Sequence, residues 1–154
     1  MLLTDACALC VRVAIPVVFY VQTRPYLQHF LKKVSRWYDV YLYTASVRAY
    51  AEPLVEKLDP RHKRFKGAYF RDSCTVDTAG HATKDLAALN FDLARTVLLD
   101  DSGDMATCNR DNVFPIPPWL GDDTYDETLL NVLPVLYALR YVADVRSVLC
   151  LRHL

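Results

Sequence analysis

Net charge is missing from this chain: eighteen Lys and Arg meet eighteen Asp and Glu. No basic tract offsets that balance. The densest run, Arg61-His62-Lys63-Arg64-Phe65-Lys66, reads as a short solvated loop, so nucleic-acid binding is disfavoured as the main activity. A membrane-spanning run is lacking as well. Met1 to Val21 is apolar, yet it has no basic leading region, holds Asp5 and Arg12, and breaks at Pro16. It falls short of the roughly 18 uninterrupted apolar residues of a span. A disulfide framework is also missing. Cys7, Cys10, Cys74, Cys108 and Cys150 are odd in number and irregular in spacing, which predicts free thiols in a reducing, intracellular compartment. Cys7 and Cys10 make a CxxC without a second pair, too few ligands for structural zinc. No repeat, linker or low-complexity segment divides the 154 residues, so a single domain with a real core is expected.

What the chain does contain is alternation. Two short strands, 10–14 and 17–21, are expected around Pro16. Pro25 suits the first turn of a helix, whose apolar face is Leu27, Phe30, Leu31 and Val34 at i, i+3, i+4, i+7. Val40-Tyr41-Leu42-Tyr43 is the next strand. A second helix follows, with Val47, Tyr50, Ala51, Leu54, Val55 and Leu58 on one face and a stop at Asp59-Pro60. Further strands are expected at 68–70 and at 96–99, and an edge strand that tolerates proline at 113–116. Residues 77–80 read as a turn. Leu129, Leu130, Leu133, Leu136 and Tyr137 mark a covering helix, kinked or delayed by Pro134. A last short helix carries Val142, Val145 and Val148. Strands alternating with helices give an α/β parallel sheet.

The chemistry collects at strand ends. Thr96-Val97-Leu98-Leu99 runs into Asp100 and Asp101, and ligands in open α/β sheets bind outside the carboxyl ends of such strands. Two carboxylates there suit Mg²⁺, unless they only cap the next helix. Thr44 and Ser46 stand at a strand-to-helix turn, where hydroxyls and free N–H groups hold phosphate or simply cap. Lys84 alone would read as a solvated side chain. Together, Thr44, Lys84, Asp100 and Asp101 describe a phosphoryl site: hydroxyl donor, cation and metal acids.

These residues resemble the haloacid-dehalogenase-type phosphatases of the small carboxy-terminal-domain group. The matching stretches are Arg24-Pro25, Trp37-Tyr38, Tyr43-Thr44-Ala45-Ser46, Leu58-Asp59, Arg71-Asp72-Ser73-Cys74-Thr75, Lys84-Asp85-Leu86 and Leu99-Asp100-Asp101-Ser102. Leu133-Pro134, Ala138-Leu139-Arg140-Tyr141 and Ala143 to Leu149 are similar to the Dullard branch of nuclear-envelope phosphatases. The resemblance covers about residue 10 to the end. It implies one domain over 1–154, of FCP1-homology type, on a haloacid-dehalogenase-like Rossmannoid sheet with flanking helices. The implied activity is Mg²⁺-dependent dephosphorylation of serine or threonine through an aspartyl-phosphate. By position, Thr44 holds the phosphoryl group with Ser46 nearby, Lys84 neutralises it, Arg71 meets the substrate phosphate, and Asp100 ligates Mg²⁺ beside Asp101. The implied partners are lipin-like phosphoproteins and a small regulatory subunit, at the nuclear envelope or endoplasmic reticulum.

The family reaction begins at an Asp-x-Asp-x-Thr motif, whose two acids are nucleophile and general acid. No such motif occurs in this sequence, and spacing back from Arg24-Pro25 places it before Met1. The amino-terminal membrane segment of the family is absent too. Gly103 stands where the family usually has proline. The expectation is a sheet lacking its central first strand, with buried main-chain groups left unpaired at about 1–3 kcal/mol each. Three readings follow: an amino-terminally incomplete and inactive phosphatase, a pseudophosphatase that binds a phosphoprotein or partner, or a shortened first strand at Met1-Leu2-Leu3-Thr4-Asp5 with Asp5 as surrogate nucleophile. A small-molecule phosphatase is the remaining enzyme alternative.

Overall fold

The computed structural model describes residues 2–3, 21–76, 78, 80–102 and 107–153. Its centre is a five-stranded parallel sheet in the order β3-β2-β1-β6-β7. The strands are β1 (Leu2–Leu3), β2 (Val40–Tyr43), β3 (Phe65–Tyr69), β6 (Leu98–Asp100) and β7 (Val113–Pro115). A separate antiparallel pair, β4 (Thr75–Val76) and β5 (Ala82–Thr83), forms a small hairpin. The helices are α1 (Leu27–Val34), α2 (Arg48–Leu58), α3 (Thr128–Asn131), α4 (Leu133–Leu139) and α5 (Arg146–Leu149).

The expected gap at the middle of the sheet is not there. Leu2 pairs with Tyr41 on one side and Leu98 on the other, and Leu3 with Leu42 and Leu99. Two residues suffice because β2 and β6 each need only a short parallel partner for their facing N–H and C=O groups. The strands expected at 10–14 and 17–20 lie outside the described residues, and Val21 is not in a strand.

The pleat sends alternate residues to opposite faces. Val40, Val97 and Leu99 pack with Phe30, Leu31 and Val34 of α1, with Leu129, Leu136 and Leu139 of α3 and α4, and with Leu149 of α5. Each fully buried side chain of this size is worth about 1.5–3 kcal/mol. Tyr43, Leu98 and Val113 face the other way, against Leu86, Phe91 and Leu93. On that face the irregular segment 84–95 is the cover. Asn112, 1% exposed, pins it to the sheet by donating from Nδ2 to the carbonyls of Leu93 (2.6 Å) and Thr96 (2.7 Å).

Several boundaries differ from expectation. α1 begins at Leu27, after Tyr26 has turned through φ 61°, so Pro25 precedes the helix. β3 starts at Phe65, because buried Asp59 collects the N–H groups of Lys63, Arg64 and Phe65 and aims the chain along β2. Burial alone pushes Asp59 up, but these three donors hold it below the ordinary carboxylate value. The covering helix is two helices, with Pro134 in the first turn of α4, where no N–H partner is needed.

A long-range clamp closes the helical side. Arg24 donates from Nε and Nη2 to the two oxygens of Asp126, both at 2.8 Å, and from Nη1 to Pro117 O at 2.7 Å. The guanidinium, aided by the Thr128 hydroxyl, holds Asp126 below the ordinary carboxylate value. Asp126 therefore adds stability above the unfolded carboxylate pKa of about 3.9 and loses it as pH falls through the lower folded value. Between about pH 5 and about pH 2, Asp126→Asn should lose less stability than the parent in denaturant titrations. Equal losses would show that the clamp contributes nothing.

Candidate active site

β2 and β6 flank β1, and their carboxyl ends carry the site. β6 ends on Asp100, wholly buried. A charge taken out of water needs a partner, and Lys84 supplies it: Nζ lies 2.8 Å from Asp100 Oδ2, with Lys84 itself only 6% exposed. The Lys84 side chain is thus buried, contrary to the usual solvated lysine. Its backbone is held too. Thr107 Oγ1 donates to Lys84 O at 2.6 Å, Cys108 N donates there at 3.2 Å, and Lys84 bridges Thr107 in parallel register. Asp100 Oδ1 accepts the Ser102 N–H at 2.8 Å, so both its oxygens are engaged.

Thr44 follows β2 and is 1% exposed. Its N–H donates to Tyr69 O, and its hydroxyl accepts the Ser46 N–H at 2.9 Å. Neither Thr44 nor Ser46 caps α2, which begins without a side-chain cap. The two hydroxyl residues instead form a tight turn at the strand end. Arg71 reaches that turn from the β3 side: Nε donates to Ala45 O at 2.6 Å and its N–H to Ser46 O.

Cys74 lies against the Thr44 turn. Its Sγ lies 3.7 Å from Thr44 O. Burial pushes the thiol up, while the positive charges of Lys84 and Arg71 and a hydrogen bond with Tyr43 oppose the rise. Tyr43 stitches the floor: its hydroxyl donates to Ser73 O at 2.8 Å and accepts the Asp85 N–H at 3.1 Å. Burial pushes that phenol up to about 12, so it stays a neutral donor.

Asp101 differs from its neighbour. It is half-buried and held above the ordinary carboxylate value, first by burial and then by the charge of Asp100. It borders a cavity of about 620 Å³ between α1, α2 and the sheet, lined also by Phe30, Leu42, Leu54 and Leu99. Thr44, Lys84 and Arg71 do not line that space. Among the described residues no group of three or more His, Cys, Asp or Glu side chains is placed to hold a metal.

Sequence reasoning missed the supports. Thr107 holds Lys84, and Asn109 Oδ1 accepts the Leu86 N–H at 2.7 Å. The Thr107-x-Asn109 spacing is a turn-forming signal, but nothing in it points to Lys84. Cys74, Cys108 and Cys150 are free thiols, as expected; Cys7, Cys10, Asp5 and Gly103 lie outside the described residues.

Residues 4–146 match the family described as NLI interacting factor-like phosphatase. The chain is 43% identical over 134 residues to a zebrafish (Danio rerio) protein named CTD nuclear envelope phosphatase 1B, covering 87% of this chain and 54% of that relative. It is 38% identical over 137 residues to nuclear envelope morphology protein 1 of Schizosaccharomyces pombe, covering 89% of this chain and 28% of that one. The chain thus spans about half the length, or less, of these curated relatives. Among solved structures, fission yeast Fcp1, an RNA polymerase II CTD phosphatase, bound to beryllium fluoride, superposes with TM-score 0.55 at 24% identity. That match covers 85% of this chain and 38% of the other, and it shows the fold.

Proposed function

This chain belongs to the NLI interacting factor-like phosphatase family, and from that premise we propose that its site receives the phosphoryl group of a phosphoserine or phosphothreonine protein. The buried Lys84–Asp100 pair at the carboxyl end of β6 carries the reading. A cation is fixed beside a carboxylate, next to a hydroxyl turn, and that arrangement suits a phosphate dianion. In this reading Thr44 and Ser46 cradle the phosphoryl oxygens, Lys84 neutralises them, and Arg71 meets the phosphate at the rim.

Asp100 and Asp101 would hold Mg²⁺. Their fit is chemical: Mg²⁺ takes one or two carboxylates and completes its octahedron with waters and substrate phosphate. Burial first, and then the charge of Asp100, raises Asp101, and a divalent cation held between the two carboxylates would offset that repulsion. When bound, Mg²⁺ polarises a phosphoryl oxygen; the protein's own part is to place the phosphate and neutralise it. The phosphoprotein substrate, a regulatory subunit, the fuller haloacid-dehalogenase relationship and a location at the nuclear envelope or endoplasmic reticulum all belong to this proposal. The names of the relatives support the phosphatase reading and the nuclear envelope.

A second reading is favoured by one observation. The 154 residues contain no Asp-x-Asp-x-Thr, and the central strand is Leu2–Leu3. Without the two acids the chain binds phosphate and does not turn it over, either as an incomplete form of an active enzyme or as a pseudophosphatase. Calorimetry with inorganic phosphate tests the shared premise. Lys84→Ala should weaken binding by roughly tenfold or more, the worth of a charged hydrogen bond, while Lys66→Ala, exposed on β3, should not. Equal effects would reduce the site to general surface charge.

A further inference from the structure

A lysine side chain is long and loses much rotamer freedom when it is fixed in one place. Lys84 is held at both ends. Its ammonium meets Asp100 Oδ2 at 2.8 Å. Its root is held by residues distant in sequence, because Lys84, Asp85 and Leu86 follow the end of β5 and belong to no helix. The Tyr43 hydroxyl accepts the Asp85 N–H at 3.1 Å, and Asn109 Oδ1 accepts the Leu86 N–H at 2.7 Å. Lys84 O receives two donors, Thr107 Oγ1 at 2.6 Å and the Cys108 N–H at 3.2 Å.

Pairing Lys84 O does not by itself call for the Thr107 hydroxyl, since the Cys108 N–H already donates to that oxygen. Nor does packing, because valine, branched in the same way, would fill this buried place. What the hydroxyl adds is direction. With it, both lone pairs of the carbonyl are engaged, and the Lys84 peptide resists rotation. The same Oγ1 accepts the Asn109 N–H at 3.0 Å. The short turn from Thr107 to Asn109 thus closes on itself while it grips residues 84 and 86.

We propose that Thr107 is a positioning residue, whose hydroxyl sets where the Lys84 ammonium stands at the carboxyl end of β6. The consequence for a ligand rests on the phosphate reading above. A phosphate that enters must share Nζ with Asp100, so the ion pair alone cannot keep the cation in place while the ligand binds. The root of the side chain then decides. Groups that grip a ligand keep their geometry through the residues behind them. Thr107 touches no phosphate in this view and acts only through Lys84.

The test compares the whole chain with Thr107→Val, Thr107→Ser and Thr96→Val. Thr96 is the control. It is buried too, and its Oγ1 donates at 2.7 Å to Asp92 O, a carbonyl that likewise has a second donor, the Arg95 N–H. Acetylation of lysine amines, followed by mass spectrometry of the peptides, reads the hold on Lys84 against exposed Lys66. Lys84 should react slowly in the parent, roughly threefold or more faster in Thr107→Val, and slowly again in Thr107→Ser and Thr96→Val. Calorimetry with inorganic phosphate should show affinity falling by a similar factor in Thr107→Val alone. Thr107→Cys, a weaker donor of similar size, should fall between parent and Thr107→Val in reducing buffer, and it supplies the comparison where Thr107→Val does not fold. Unchanged Lys84 acetylation in Thr107→Val overturns the proposal. So does an equal rise in Thr96→Val, which means general loosening, or an unchanged phosphate affinity once Lys84 has come loose. If no form binds phosphate and the acetylation pattern still holds, the phosphate reading fails and the positioning of Lys84 stands.

Discussion

Lys84→Met is expected to cost the fold about 3–5 kcal/mol in denaturant titration, a large part of a total of about 5–15. The reason lies in what remains. Asp100 is wholly buried, and its Oδ2 has Lys84 Nζ as partner at 2.8 Å. With the ammonium removed, that carboxylate must stay charged in an apolar setting or take up a proton. The double variant Lys84→Met/Asp100→Leu separates structure from function. It replaces the ion pair with apolar side chains, which is often neutral or stabilising, so most of the lost stability should return. Phosphate binding should not return, because the cation is gone. If the double variant were as unstable as the single one, the pair would owe its burial to packing constraints elsewhere. If Lys84→Met cost nothing, the ion pair would not be a determinant of the fold.

The second large effect concerns turnover. With Mg²⁺ present, the 154-residue chain is expected to release no measurable product from para-nitrophenyl phosphate or a phosphoserine peptide. Covalent catalysis needs an acceptor carboxylate, and a positioned general acid alone is worth about 10²–10⁴ in rate. The described site supplies a cation, hydroxyls and two carboxylates, one of which is engaged by Lys84 and Ser102. A longer chain bearing Asp-x-Asp-x-Thr on the central strand should be active, and Asp100→Asn within it should lose most of that activity. Turnover by the 154 residues that Asp5→Asn abolishes would make Asp5 the surrogate nucleophile. A longer natural chain that carries no such motif and stays inert would favour the pseudophosphatase.

Much of this site was legible because it is built at strand ends. Val40 to Tyr43 is a strand as the alternation predicts, and α1 carries Phe30, Leu31 and Val34 inward as its spacing requires. Thr44 and Asp100 then follow from topology, since both end strands that flank β1. Lys84, which alone reads as a solvated side chain, entered only in company with Thr44 and the Asp pair. Its burial depends on Asp100, sixteen residues away, and on Thr107, twenty-three away, and no local pattern encodes such meetings. β1 entered only as one of three readings, because two residues cannot display an alternation, and the hairpin of β4 and β5 escaped for the same reason. The cover over Tyr43 and Leu98 is a loop whose apolar residues lack a regular period, so its packing was invisible before the sheet was known.

The place of β1 also governs the order in which the sheet can be completed during synthesis. Its first neighbour, β2, is translated some forty residues after it, but β6 arrives about ninety-five residues after Leu3. At ribosomal speeds of about 5–20 residues per second, the edge of β1 that awaits β6 stays unpaired for on the order of 3–11 s after β2 is made. Open edges of that kind recruit other strands. A nascent chain paused between β3 and β6 therefore presents a ready template to its neighbours on the same messenger, before Asp100 at the end of β6 has been made.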